Sequence, residues 1–195
     1  MQFLSQLKSH AGRQVGSLSK VEKWHLLGQK GSGSIAHQDH CGFWTWIKVE
    51  KGRNLWLICQ LSNDDQEKFA KYGPTFTGGK WFYTWLEAGD ILIMPPGTVH
   101  AVFTPVDTLC TGGNGWSKAH MGDTMRSIAF EKMHPRVTND KPVPQLNGLL
   151  QEASRGMGDE DSDAEFGGEE RKREFREYRK VRISNISAVL QQLYS

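Results

Sequence analysis

Gly89-Asp90-Ile91-Leu92-Ile93-Met94-Pro95-Pro96-Gly97-Thr98-Val99-His100 reads as a buried strand, a Pro-Gly turn and a histidine that opens the next strand. Ile91 to Met94 is a short apolar run of strand length, and Pro95-Pro96-Gly97 ends it, because proline offers no backbone N–H and glycine suits the turn. That arrangement sets the His100 imidazole at the mouth of a barrel. Working outward, Phe43 to Glu50 alternates, with Thr45, Ile47 and Val49 on one face and Trp46, Lys48 and Glu50 on the other. Lys51-Gly52-Arg53-Asn54 is a hairpin turn before the apolar run Leu55 to Cys59. Asn63 to Tyr72 reads as a short polar helix closed by Gly73-Pro74. Trp81 to Leu86, Val99 to Pro105 and Thr108 to Thr111 add strands, with Gly112-Gly113 as a break. Strands at this spacing predict a closed or double-sheet all-β core.

The 195 residues suffice for one domain with a sizeable core plus a tail. Seven Trp, nine Phe and 21 Gly fit many short strands separated by turns. A formal net charge of +2 gives no whole-chain field toward nucleic acid or membrane. No apolar run approaches the roughly 20 residues that span a bilayer, and Met1-Gln2-Phe3-Leu4-Ser5 lacks the order of a signal peptide. Cys41, Cys59 and Cys110 match neither a disulfide framework nor a CxxC zinc site, which favours a reducing compartment. The expectation is a soluble, intracellular protein.

Four segments are expected. Residues 1–30 form a helical or irregular start, with Val21 to Leu27 its apolar part. Residues 31–135 form the barrel core. Residues 136–170 form a linker, with Pro142 and Pro144, and an acidic stretch from Asp159 to Glu170 of disordered character. Residues 171–195 form a basic amphipathic helix, with Phe175, Tyr178 and Val181 at helical spacing before Ile183, Ile186, Val189, Leu190 and Leu193. A helix packed on the barrel or on a partner, with a solvated basic face, is the plainer reading of Arg171 to Arg182. A nucleic-acid or nucleosome contact is the other.

Chemistry concentrates in Ser34-Ile35-Ala36-His37-Gln38-Asp39 together with His100. Residues two apart on a strand face the same side, so His37 and Asp39 can meet one ion. Two neutral nitrogens and one carboxylate on a triangular face suit Fe(II) and leave open positions for a chelating ligand and oxygen. A lone His-x-Asp arises often by chance, and a lone histidine after a turn is usually structural. The weight comes from the two together, about 60 residues apart, each on suitable local structure. His40 and Cys41 are near enough to be alternative ligands, but His40 has the opposite strand parity to His37 and is read as a bystander. His10, His25, His120 and His134 have no ligand-like neighbours.

At these residues the sequence resembles the JmjC family of Fe(II)- and 2-oxoglutarate-dependent oxygenases, closest to histone lysine demethylases of the F-box/PHD-finger branch and to fungal JmjC-like proteins. Pro96 through Asn114 carries the resemblance most specifically, and Ser34 through Ile58 matches in spacing. Together they span roughly residues 30 to 130. The resemblance implies a double-stranded β-helix, a jelly-roll of cupin-like type, with peripheral helices and a C-terminal helix. It implies that His37, Asp39 and His100 hold Fe(II). It places Ser34 where the family binds a 2-oxoglutarate carboxylate through a hydroxyl. Asn54 stands where the family has the lysine that pairs with the far carboxylate, and Ile47 where a tyrosine hydrogen-bonds the same group. An amide donates a hydrogen bond without neutralising charge, and leaving a buried carboxylate unpaired costs several kcal/mol, on the order of a hundredfold in affinity. Arg53 or Lys51 at the turn could swing in to replace the lysine, whereas Lys48 points away. JmjC domains also carry further strands and helices before the His-x-Asp strand, so the expectation is either a trimmed domain or a sheet completed by a partner chain.

The resemblance thus implies an enzyme that hydroxylates or demethylates a protein, with a histone tail as the candidate substrate, in the nucleus and away from membranes. The departures at Asn54 and Ile47 favour an alternative, a catalytically impaired JmjC fold kept as a binding module. A metal cupin with other chemistry is a lesser alternative, since Asp39 stands where that motif has a histidine and the expected glutamate is missing.

Overall fold

The computed structural model describes residues 23–140 and 162–180. Eight strands run β1 (Trp24–Gly28), β2 (Gly33–His37), β3 (Trp44–Lys51), β4 (Arg53–Gln60), β5 (Lys80–Glu87), β6 (Ile91–Met94), β7 (Val99–Phe103) and β8 (Thr108–Gly115). They form two four-stranded antiparallel sheets, ordered β1-β8-β3-β6 and β2-β7-β4-β5. Successive strands alternate between sheets apart from the β4–β5 hairpin partners, which is the jelly-roll expected. Three helices are peripheral: α1 (Asn63–Tyr72), α2 (Met121–Met133) and α3 (Glu169–Lys180). None of the described helices is long and apolar enough to cross a membrane.

The alternation read from the sequence sets the interior. Ile47, Val49, Trp56, Leu86, Met94 and Cys110 form one buried cluster between the sheets, with Trp24, Leu92 and Val102 against it. Ala36, Cys59, Phe69, Phe76, Val99 and Val137 form a second, where α1 closes on the sheet. Helix α1 starts where Ser62 and Asp65 cap each other reciprocally.

Four expectations need correction. The segment up to residue 30 is not wholly helical or irregular: Trp24–Gly28 is a strand paired with β8. Gly112-Gly113 does not break β8, which continues to Gly115. Glycine is needed at position 112 because the Trp24 ring lies where a β-carbon would go. The acidic stretch is not all disordered. Asp163–Phe166 is a 3-10 turn capped by Ser162 and Glu165, with Phe166 buried in a stack on Phe175 at 5.3 Å. One aromatic anchor outweighs the acidic composition. Finally, Arg53 and Lys51 do not reach the interior. The Arg53 guanidinium lies 5.1 Å over the Trp85 ring, and Lys51 is exposed. Lys48 points away as expected, paired with Glu50 at 2.8 Å.

The basic helix is present as α3 up to Lys180, and its continuation to residue 195 lies outside the described residues. Three of its charged residues meet opposite charges of the same chain. Lys172 reaches Asp163 at 3.0 Å, Arg171 reaches Asp123 at 3.6 Å, and Glu174 pairs with Arg126 of α2. These contacts favour packing on the barrel's own helix as the role of this segment.

Candidate metal centre

Strand β2 brings the site together. His37 lies directly opposite His100 of β7 in the antiparallel register, with ring centroids 4.3 Å apart. The next residue, Gln38, turns the other way. Its backbone N–H donates to the Val137 carbonyl at 2.9 Å and its side-chain amide donates to Ser127 Oγ at 3.1 Å on α2. With Gln38 anchored outward, Asp39 returns to the side of His37. One donor atom from each of His37, Asp39 and His100 lies within 4.8 Å of the other two. His100 Nε2 is 3.9 Å from Asp39 Oδ1.

Hydrogen bonding fixes which nitrogen faces the centre. His37 Nδ1 is 2.7 Å from the Ile35 carbonyl, and His100 Nδ1 is 3.0 Å from the Thr98 carbonyl. A carbonyl accepts and cannot donate, so each Nδ1 carries the proton. Each Nε2 lone pair is left free, as metal-bound imidazoles require. Burial, reinforced by the neighbouring His100, holds the His37 pKa below the ordinary histidine value, so the ring is neutral near pH 7. Both histidines are buried and Asp39 is half-buried, which leaves the centre open on the carboxylate side.

A tight turn follows Asp39. Cys41 sits at φ 61, a left-handed conformation that a side chain disfavours. Three buried bonds hold it there. Cys41 N–H donates to Glu131 Oε2 at 2.8 Å, Trp116 Nε1 donates to the Cys41 carbonyl at 3.1 Å, and Thr124 Oγ1 donates to the Gly42 carbonyl at 2.8 Å. Burial pushes the Glu131 carboxyl above the usual range.

The remaining predicted residues fall as follows. Ser34 is half-buried on β2, opposite Val102. Asn54 is buried on β4, its Nδ2 3.9 Å from Cys110 Sγ and its Oδ1 without a hydrogen-bond partner. Ile47 is buried in the interior cluster. His40 packs edge-on against Phe43 and lies 3.9 Å from Asp140, and Cys41 directs its backbone into the turn. His25 meets Thr111, His120 meets Ser117, and His134 lies against Phe130. Sequence reasoning missed Trp56, which stacks on His100 at 5.4 Å. Its parity with Asn54, two residues away on one strand, was a signal that would have found it. It also missed Glu131 and Ser127, whose roles depend on a helix with no sequence signature, and Trp116, which follows β8 and reaches the Cys41 carbonyl from 75 positions away.

No protein-family model matches the chain. In sequence, 142 residues are 27% identical to JmjC domain-containing histone demethylation protein 1 of Saccharomyces cerevisiae, covering 67% of this chain and 29% of that protein. Another 26% identity over 121 residues links it to histone lysine demethylase PHF8 of Danio rerio, covering 57% of this chain and 12% of that protein. Lysine-specific demethylase 2A of Xenopus tropicalis is 29% identical over 104 residues, or 49% of this chain and 9% of that protein. The chain resembles JmjC-domain histone demethylases. It spans less than a third of the length of each of these relatives. Among solved structures, the cupin domain of Drosophila melanogaster CENP-C overlies 49% of this chain and 62% of that one at 10% identity, with a TM-score of 0.36, a likeness too slight to carry an argument.

The JmjC resemblance implies two groups, and the residues fit them differently. Two neutral imidazoles and a carboxylate converging on one point form a donor set suited to a divalent iron. The far carboxylate of 2-oxoglutarate finds no such match. The only contact of the Asn54 amide is Cys110 Sγ, and among the described residues the one buried Lys or Arg is Lys172, which meets Asp163. With Arg53 over Trp85 and Lys51 exposed, a second carboxylate placed at Asn54 would meet no cation, so the far end of 2-oxoglutarate does not fit there.

Proposed function

We propose that this chain is a JmjC-type oxygenase domain built on one Fe(II) and acting on a protein, with a methylated histone tail as the substrate class and the nucleus as its place of action. The single observation that carries the reading is the convergence of His37, Asp39 and His100, with both Nδ1 protons committed to backbone carbonyls. The histone substrate and the nuclear location are supported by the names of the relatives.

When bound, iron supplies the redox chemistry that lets an unactivated C–H bond be attacked. The chain's own residues do the rest. The Ile35 and Thr98 carbonyls orient the two imidazoles before any ion arrives. Asp39 offsets one positive charge and leaves its side of the centre accessible. Trp56 covers the inner face of His100 and keeps water from the buried side.

A second reading, a JmjC fold kept as a binding module, is favoured by Asn54 standing where the family has a lysine, with Arg53 over Trp85 and Lys51 exposed. Incubating the iron-loaded full chain with methylated histone peptides and a panel of 2-oxo acids, then weighing the peptides, separates the two. Gain of one oxygen or loss of a methyl group supports the oxygenase. Unchanged peptides across the panel, with iron demonstrably bound, select the binding module.

A further inference from the structure

The interior of the barrel behind the three metal-binding residues contains two polar atoms without partners. Asn54 Oδ1 is an unpaired acceptor and Trp56 Nε1 an unpaired donor, on side chains that are 2% and 4% exposed. Both belong to β4, two residues apart, so both point to the same inner face. Trp56 lies against His100, so this polar pair sits directly behind the metal centre. Native proteins seldom leave buried polar atoms unpaired, and each such atom calls for a partner, whether water, ion or ligand. The hydrophobic residues packed with Trp56 are Ile47, Val49, Leu86, Met94 and Cys110, and burial holds the Cys110 thiol above its ordinary pKa, so it stays protonated.

We infer that the ligand sharing the metal with His37, Asp39 and His100 is a chelating acid with a single carboxylate and a neutral, hydrogen-bonding tail, such as a 2-oxo acid ending in a carboxamide. The inference rests on the metal reading above. The chemistry follows from what the two orphaned atoms require. Trp56 Nε1 donates and needs an acceptor, while Asn54 Oδ1 accepts and needs a donor. A carboxylate has acceptors alone, so it would satisfy Trp56 and face the Asn54 oxygen with repulsion. A carboxamide supplies both, through its C=O and its NH2. Turning the Asn54 amide about would present an N–H instead, but it would still supply no charge, and the Cys110 thiol would then donate to the oxygen. In either orientation a neutral tail satisfies the site and a second carboxylate stays uncompensated.

The test uses the full chain loaded with Mn(II), which reports binding without oxygen chemistry. Calorimetry first measures Mn(II) alone, and failure to bind overturns the metal reading itself. The Mn(II) protein is then titrated with 2-oxoglutarate and with its carboxamide analogue, 2-oxoglutaramate, which differ at one end. The expected result is at least tenfold tighter binding of the carboxamide. Equal or tighter binding of 2-oxoglutarate overturns the inference, and so does binding of neither, which would mean that water fills the space. Asn54→Lys is expected to reverse the preference. Should that buried lysine prevent folding, Trp56→Phe retains the ring over His100 while removing the donor. It is expected to narrow the carboxamide preference severalfold within the same variant. An unchanged ratio overturns the role of the indole N–H.

Discussion

Glu131 offers a quantitative check on how the loop after Asp39 is held. Replacing it with alanine removes the acceptor for the Cys41 N–H, inside a turn whose residues His40, Cys41 and Gly42 are all buried. An orphaned buried donor costs about 1–3 kcal/mol. The left-handed conformation of Cys41 is itself unfavourable by roughly 1–2 kcal/mol and is held by bonds to both its backbone N–H and its carbonyl. Glu131→Ala is therefore expected to lower unfolding stability by about 1–3 kcal/mol and to weaken Mn(II) binding, because Asp39 enters that turn. Glu131→Gln keeps an acceptor and is expected to stay within about 1 kcal/mol of the parent at neutral pH. Its pH behaviour should differ. Burial raises the folded-state pKa of Glu131 above its unfolded value, so the folded chain holds that proton more tightly. The resulting stability is present below the ordinary carboxylate range and is lost as pH rises through the folded pKa. Glutamine has no proton to lose, so its advantage over the parent should widen with rising pH. Urea unfolding followed by tryptophan fluorescence at several pH values measures both effects. An alanine variant as stable as the parent, or a glutamine variant that tracks the parent at every pH, would refute the reasoning.

Other expectations follow from single contacts. His100→Ala should lower Mn(II) affinity at least a hundredfold by calorimetry, since it removes one of three donors. Cys59 is buried, and desolvation pushes its thiol up to about 11, so in the native chain it should react with a thiol reagent far more slowly than after unfolding. Phe175→Ala removes the ring that stacks on Phe166; truncating a buried Phe costs about 3–5 kcal/mol, enough to release α3. Limited proteolysis should then cut between α2 and α3 sooner, while the barrel stays resistant.

The barrel and the three converging residues were legible because their signals are local. Alternation in β3 fixes which residues face inward, and the Pro-Gly turn before His100 fixes where the imidazole lies. Strand β1 gave no such signal, since its central residues are exposed on either side of the chain and no alternation survives. Helix α2 was invisible for the opposite reason. Gly122, Thr124, Ser127 and Glu131 are buried beside Met125 and Ile128, so the polar and apolar residues do not separate into faces. The acceptors on that helix answer partners about 90 positions away, such as Cys41 and Gln38, and such pairings leave no trace in neighbouring residues. The missing cation was legible at Asn54, but whether Arg53 could replace it required seeing that side chain over Trp85.

Strand β2 lies at the rim of its sheet, and its register slips between Ser34 and His37 just before the first imidazole. The cross-strand partner of that imidazole is the second one, so an ion held by both works as a rivet between a loose hem and the fabric behind it. Ligand held by the folded chain alone adds stability as RT ln(1 + [L]/Kd), about 2.7 kcal/mol at a hundredfold excess over Kd. Iron supply would then govern how firmly this margin of the molecule is stitched down, as well as what the centre can do.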